Sequence, residues 1–109
     1  DREAVKLAFN LFTVTDGAFS EELAIILGSL IRIHPKLFLE GLNESPDLML
    51  PIGGLVVNPG YMYVDRTKAF CYEIQLRIDS LSRVKEPKLN RLRDKCIESL
   101  QEHIHRYCK

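Results

Sequence analysis

The chain has neither a surplus of charge of one sign nor a long hydrophobic run. Its 15 basic residues balance its 15 acidic ones, so the formal net charge is zero. Nucleic acids and anionic membranes are usually bound through a concentrated surplus of Lys and Arg, which this balance does not provide. No apolar segment approaches the ~20 residues that a membrane-spanning helix requires. We therefore expect a soluble chain with no membrane span and no nucleic-acid partner.

The motifs of common enzyme classes are also missing. There is no glycine-rich phosphate loop, no G-x-S-x-G, no H-E-x-x-H and no recognisable pair of catalytic carboxylates. His103 and His105 are two positions apart on a predicted helix, so their side chains point about 200° apart and cannot share one metal ion. His105 and Cys108 can share a face, but a zinc site would need two further ligands. The sequence therefore predicts no metal, no cofactor and no catalytic residues.

Cysteine occurs in an odd number, which argues against a fully paired disulfide framework. If the last two helices form an antiparallel hairpin turning near Glu86, Cys71 lies opposite about position 101. Cys96 is then displaced along the helix axis by roughly 7 Å from the position opposite Cys71. Together with the separation between the helices, this displacement exceeds the Cα separation of about 4.4–6.8 Å that a disulfide requires. We expect Cys71, Cys96 and Cys108 to be free thiols, with packing roles for the first two.

The cellular compartment stays open. Free thiols are typical of a reducing, cytoplasmic environment. The sequence begins with Asp1 and not with Met, which leaves a removed signal peptide possible.

The length and composition are those of one folded domain. A chain of 109 residues with 46% hydrophobic and 28% charged residues can bury a real core. Apolar residues recur at helical spacing through most of the sequence. We predict a single all-α domain over residues 1–109. Its helices should lie at about 2–14, from a break at residues 15–17 to about 33, and at 35–42, 64–83 and 87–107.

A forced corner at His34-Pro35 separates the second and third predicted helices. Proline has no amide hydrogen and pushes the preceding residue out of the α region, so the second helix should stop near Ile33. Pro35 should open the next helix. This geometry is typical of helical hairpins.

Residues 43–60 interrupt the helical pattern. Three prolines and three glycines forbid a long helix, whereas the segment is too apolar for a solvated linker. A long irregular segment in a small domain is often functional, so we expect a binding site here that includes Leu48, Met49 and Ile52. The alternative is that the segment only caps one end of the core.

A cluster of aromatic and polar residues follows this segment. Tyrosine, methionine and arginine are enriched where proteins bind partners. The predicted binding residues are therefore Tyr61, Met62, Tyr63, Asp65 and Arg66, although the two rings could simply cover the core.

The basic residues cluster only near the start of the last predicted helix. The cluster contains Lys85, Lys88, Arg91, Arg93 and Lys95. Acidic residues interrupt it in the sequence, so we interpret it as a solvated face.

The segment from Glu21 to Leu42 resembles the helical hairpins of HEAT and armadillo-like α-solenoid proteins. The resemblance is carried by Leu27-Gly28-Ser29-Leu30-Ile31, which leads into His34-Pro35 and Phe38-Leu39. It implies a concave surface for binding proteins or peptides. Residues 61–109 do not align with residues 2–42 as a repeat, so five helices in a closed bundle are an equal alternative.

The leading functional hypothesis is a non-enzymatic protein-binding or scaffolding domain. It would use the 43–60 loop and the 61–66 cluster against another protein or a second copy of itself. The alternative is a small-ligand-binding or hydrolase-type domain, with a site between the helices and that loop. A third hypothesis is that the chain is a structural piece of a longer protein.

Overall fold

A computed structural model shows an all-helical chain, as predicted, and describes residues 2–14, 17–44, 56–57 and 67–108. Within these ranges there is no β-strand. In the described residues, the helices with assigned bounds are α1 (Arg2–Val14), α2 (Gly17–Ile33), α3 (Pro35–Asn43), α4 (Thr67–Ser82) and α5 (Asn90–Tyr107), with a 3-10 turn at Pro87–Leu89. Val56 and Val57 are also helical. Among the described helices, none combines the length and apolarity needed to cross a bilayer.

The corner between α2 and α3 lies where the sequence predicts it. The amide of His34 donates to the carbonyl of Leu30 at 2.7 Å and closes the last turn of α2. The imidazole Nδ1 of His34 accepts a hydrogen bond from the amide of Leu37 at 3.3 Å, so His34 caps the start of α3. Pro35 occupies the first turn, where no amide hydrogen is needed.

Side chains from all five helices form one hydrophobic core. The predicted inner stripe of α4 is buried at Ile74, Ile78 and Leu81. Helical spacing also predicts burial of Ile26 in α2 and of Tyr107 in α5, and both predictions were wrong: Ile26 is 61% exposed and Tyr107 is 62% exposed. Ile26 lies on the flank of the buried stripe of α2. Tyr107 lies in the last turn of α5, where its ring contacts that of His103 in a tilted arrangement. The fully buried side chains are Phe9, Leu27, Ile31, Phe38, Leu39, Val56, Ile74, Leu81, Leu89, Cys96 and Leu100.

Gly41 brings α1 and α3 close together. A Cβ at this position would lie 2.6 Å from the Phe9 ring and 2.9 Å from Val5. The sequence suggested Gly41 as a helix stop, but α3 continues past it to Asn43. The missing side chain is required for packing and not for ending the helix.

Cys71 and Cys108 form a disulfide, with a Cα separation of 5.8 Å, so the prediction of three free thiols was wrong. The hairpin estimate assumed helix up to a turn near Glu86, whereas α4 ends at Ser82 and a non-helical stretch precedes the 3-10 turn. Extended residues rise about 3.3 Å each against 1.5 Å in a helix, so α5 needs more residues to reach the level of Cys71. Cys96 is free and buried, as its packing role requires.

A buried charge network connects α2, α4 and Val56. The Arg77 side chain is 3% exposed, and its Nε donates to Glu73 Oε2 at 3.0 Å. Its Nη1 donates to the carbonyl of Val56 at 2.6 Å. Arg32 of α2 pairs with the other oxygen of Glu73. An acidic residue four positions before a basic one is typical of an exposed helical pair, but Glu73 and Arg77 are built into the interior.

Candidate functional site

The predicted binding residues lie outside the described residues. This applies to Leu48, Met49, Ile52, Tyr61, Met62, Tyr63, Asp65 and Arg66. From the 43–60 segment the structure describes Glu44 at the end of α3 and, further along, Val56 and Val57. Val56 is fully buried and Val57 packs against the core, so this part of the segment contacts the helices.

A first pocket lies beside the last turns of α5, and we call it the C-terminal pocket. Its volume is about 230 Å³. Ser99, His103 and Arg106 recur along α5 at spacings of four and three, which places them on one face. The pocket is lined by Val57, Ser99, Glu102, His103, Arg106 and Tyr107.

Aromatic rings fix the imidazole of this pocket. The His103 ring centroid lies 4.9 Å from that of Phe70 and 4.8 Å from that of Tyr107. Burial lowers the pKa of His103 below its ordinary value, so the imidazole is neutral at pH 7. Arg106 pairs with Glu102 at 3.0 Å, which balances the charge in the pocket. The pocket thus combines a hydroxyl, a neutral imidazole and a paired cation.

A second pocket lies between the end of α3 and the start of α5, and we call it the basic pocket. Its volume is about 190 Å³. Lys88 lies in the 3-10 turn that precedes α5, and Arg91 and Lys95 lie about one helical turn apart on α5 itself. The described lining consists of Asn43, Lys88, Arg91, Leu92 and Lys95.

Two of the acidic residues that interrupt this cluster in the sequence pair with cations outside the pocket lining, and the third, Glu98, has no described partner. Glu86 pairs with Lys36 at 3.4 Å, and Asp94 pairs with Arg93 at 3.0 Å. Lys88, Arg91 and Lys95 are exposed, in agreement with the interpretation of this cluster as a solvated face, but they also line a pocket and pair with none of these carboxylates. In the sequence, the spacing of Lys88, Arg91 and Lys95 could have distinguished these three cations from the rest of the cluster.

An exposed aliphatic stripe follows α2, and we call it the α2 stripe. It consists of Ile26, Leu30 and Ile33, at the i, i+4, i+7 spacing of one helical face. Ile26 is 61% exposed and Ile33 is 78% exposed, whereas Leu30 packs partly on the core. On α1, Leu7 is 59% exposed and Leu11 is 36% exposed.

The described residues contain no group of three or more His, Cys, Asp or Glu side chains arranged to hold a metal ion. Cys108, considered above with His105 as a possible ligand pair, is bonded to Cys71. Burial raises the pKa of Cys96 to about 12, so its thiol stays protonated and unreactive at pH 7. His34 is used in capping α3.

No known protein family, curated protein or solved structure matches the chain. The function therefore has to be argued from the surfaces described above. The likeness to HEAT and armadillo-like hairpins stays a prediction.

Proposed function

We propose that the chain is a non-enzymatic protein-binding domain and that the α2 stripe contacts a second copy of the chain. The observation that carries this proposal is the exposure of Ile26 and Ile33, at 61% and 78%, on one side of a helix whose other side is buried. Helices that dock in this way present apolar anchors at i, i+4 and i+7.

A second copy suits this stripe in charge and in chemistry. The three side chains are purely aliphatic, and an identical aliphatic stripe related by twofold symmetry is complementary to them. The chain has a formal net charge of zero, so no long-range repulsion opposes the approach of two copies.

The size of the stripe sets the expected affinity. Seven residues of helix span roughly 10 Å, and a strip about 10 Å wide over that length covers on the order of 100 Å², far less than the ~800 Å² per partner of a stable interface. The association should therefore be weak and visible only at high protein concentration.

Sedimentation velocity across a wide concentration series tests this proposal. Wild type should shift from monomer towards dimer, and the double variant Ile26→Glu, Ile33→Glu should remain monomeric. Leu7→Glu, Leu11→Glu is the matched control, because it places the same two charges on exposed aliphatic positions of α1. A wild-type protein that is monomeric at every concentration would contradict the proposal, as would equal loss of association in both variants.

The HEAT or armadillo-like architecture belongs to the same proposal. It is supported by the corner at His34 and Pro35, where α2 turns directly into α3. In such an architecture the helical pairs would offer a surface to a partner. An experimental structure of a complex, showing which face of α2 and α3 the partner covers, would test it.

The C-terminal pocket favours a second candidate, a small-ligand or hydrolase-type site. It lies between α5 and Val57, which belongs to the 43–60 segment. This position supports the alternative hypothesis of a site between the helices and that segment. A neutral imidazole can act as a general base near pH 7, and Ser99 lies one helical turn before His103.

Hydrolysis of an activated ester such as p-nitrophenyl acetate tests this second candidate. We expect a rate above background that is lost in His103→Phe and retained in His105→Phe, since His105 lies on the same helix outside the pocket lining. Equal rates in the two variants would remove the hydrolase hypothesis.

A further inference from the structure

We propose that the basic pocket binds a phosphate-type oxyanion of a soluble small molecule, such as a phosphate monoester or a diphosphate. Lys88, Arg91 and Lys95 would bind the oxygens, and the side-chain amide of Asn43 would donate from the opposite wall. This site is separate from the α2 stripe and from the C-terminal pocket.

The three cations of the pocket are unpaired within the described part of the chain. None of their nitrogens lies within ion-pair distance of a described carboxylate, whereas Arg2, Arg32, Lys36, Arg77, Arg93 and Arg106 all have such a partner. Three like charges around one cavity repel each other unless an anion lies between them. An oxyanion would convert this repulsion into charge-assisted hydrogen bonds.

Nearby acidic residues do not compensate these cations. Glu44 follows Asn43 directly, but its carboxylate pairs with Arg2 at 3.2 Å. Glu86 and Asp94 pair with Lys36 and Arg93. Glu98, about one helical turn after Lys95, is exposed and lies outside the described lining. No carboxylate belongs to the described lining of the pocket. The local potential is therefore positive although the chain as a whole is neutral.

The volume limits what the pocket can hold. About 190 Å³ is below the ~300–1,000 Å³ of pockets that enclose drug-sized ligands. The pocket therefore suits a small anion or the anionic group of a larger soluble molecule. Leu92, which packs partly on the core, supplies the apolar side against which such a molecule could rest.

Isothermal titration calorimetry with pyrophosphate at low salt tests the site. The triple variant Lys88→Gln, Arg91→Gln, Lys95→Gln should bind at least about tenfold more weakly than wild type, because charge-assisted hydrogen bonds are lost. The matched control is Lys6→Gln, Lys68→Gln, Arg83→Gln. It removes the same charge from exposed cations outside the pocket lining, and its affinity should stay within about twofold of wild type.

Nuclear magnetic resonance locates the bound ion. Pyrophosphate should shift the side-chain amide signals of Asn43 and the backbone signals of residues 88–95. No heat and no shift at millimolar pyrophosphate would overturn the proposal. So would equal weakening in the two triple variants, since that result would show an effect of net charge alone.

Vesicles separate a soluble phosphate from a lipid headgroup. The same variants are compared on phosphatidylcholine vesicles with and without phosphatidic acid. We expect the wild-type chain to bind pyrophosphate in solution. Vesicles that contain phosphatidic acid should retain no more protein than vesicles of phosphatidylcholine alone. Binding to phosphatidic acid without binding to pyrophosphate would contradict the assignment to a soluble ligand.

Discussion

At the C-terminal end of α5 the side chains are bonded to their neighbours, whereas at its start three cations have no described partner. The C-terminal end carries the disulfide between Cys71 and Cys108 and the edge-to-face contact of His103 with Phe70. The buried network of Glu73 and Arg77 lies within two helical turns of Cys71 along α4. The start of the helix carries the basic pocket.

The C-terminal end of α5 thus carries bonds that stabilise the fold, whereas its start carries charges that are available to bind an anion. Every described charge of the buried network has a partner, because an unpaired ion in the interior would cost several kcal/mol. The cations of the basic pocket reach solvent and carry no such cost, so they can remain unpaired until an anion arrives. Removing groups at the two ends should therefore have different consequences.

The largest loss of stability is expected for Glu73→Gln. The change removes the negative charge that faces the buried Arg77, and breaking a buried pair in this way costs about 3–5 kcal/mol. Urea denaturation of the variant and of wild type measures the difference. Glu98→Gln is the control, because Glu98 is exposed and has no described partner, and it should change stability by less than about 0.5 kcal/mol. Equal effects of the two changes would show that the network contributes nothing.

Removal of the disulfide is the next largest effect. Cys71→Ser, Cys108→Ser should lower the free energy of unfolding by about 2–4 kcal/mol, since the bond closes a loop across a sequence separation of 37. Adding a reductant to wild type should produce the same loss and should leave the double variant unchanged. A reductant with no effect on wild-type melting would contradict the disulfide.

Removing the charges of the basic pocket should not destabilise the fold. Lys88→Gln, Arg91→Gln, Lys95→Gln should leave the free energy of unfolding within about 0.5 kcal/mol of wild type or raise it, because the change relieves repulsion between like charges. Thermal and urea denaturation in a buffer without phosphate measure this. A loss above about 1 kcal/mol would mean that these residues support the fold.

The smallest effect is a pH dependence from His103. Because burial lowers the pKa of His103, the unfolded chain binds this proton more readily than the folded one. The stabilising contribution is therefore present above the ordinary pKa of 6.5 and is lost as the pH falls through the lowered folded value. His103→Phe keeps a ring in the stack and should flatten the decline of stability between neutral and mildly acidic pH. His105→Phe is the control and should keep the wild-type slope.

Local patterns account for the parts of the fold that the sequence predicted. The corner follows from the chemistry of Pro35, and the buried stripe of α4 follows from helical spacing at Ile74 and Ile78. Long-range contacts account for the parts that were wrong. The disulfide depended on the length of the non-helical connection before α5, and the burial of Arg77 depended on the carbonyl of Val56, 21 positions away.

The candidate site was less accessible to sequence reasoning than the fold. The spacing of Lys88, Arg91 and Lys95 was visible, but the pairing of Glu86 with Lys36 and of Glu44 with Arg2 joins distant parts of the chain. Charge compensation is a property of folded neighbours, so counting charges along the sequence could not show which cations stay unpaired.

The burial of Cys96 protects the native disulfide from scrambling. Three cysteines allow three pairings, and thiol–disulfide exchange requires a thiolate that can reach a sulfur of the existing bond. A thiol enclosed in the core and protonated at neutral pH cannot attack. The folded chain therefore retains one linkage isomer, and alkylating reagents should label Cys96 only after denaturation.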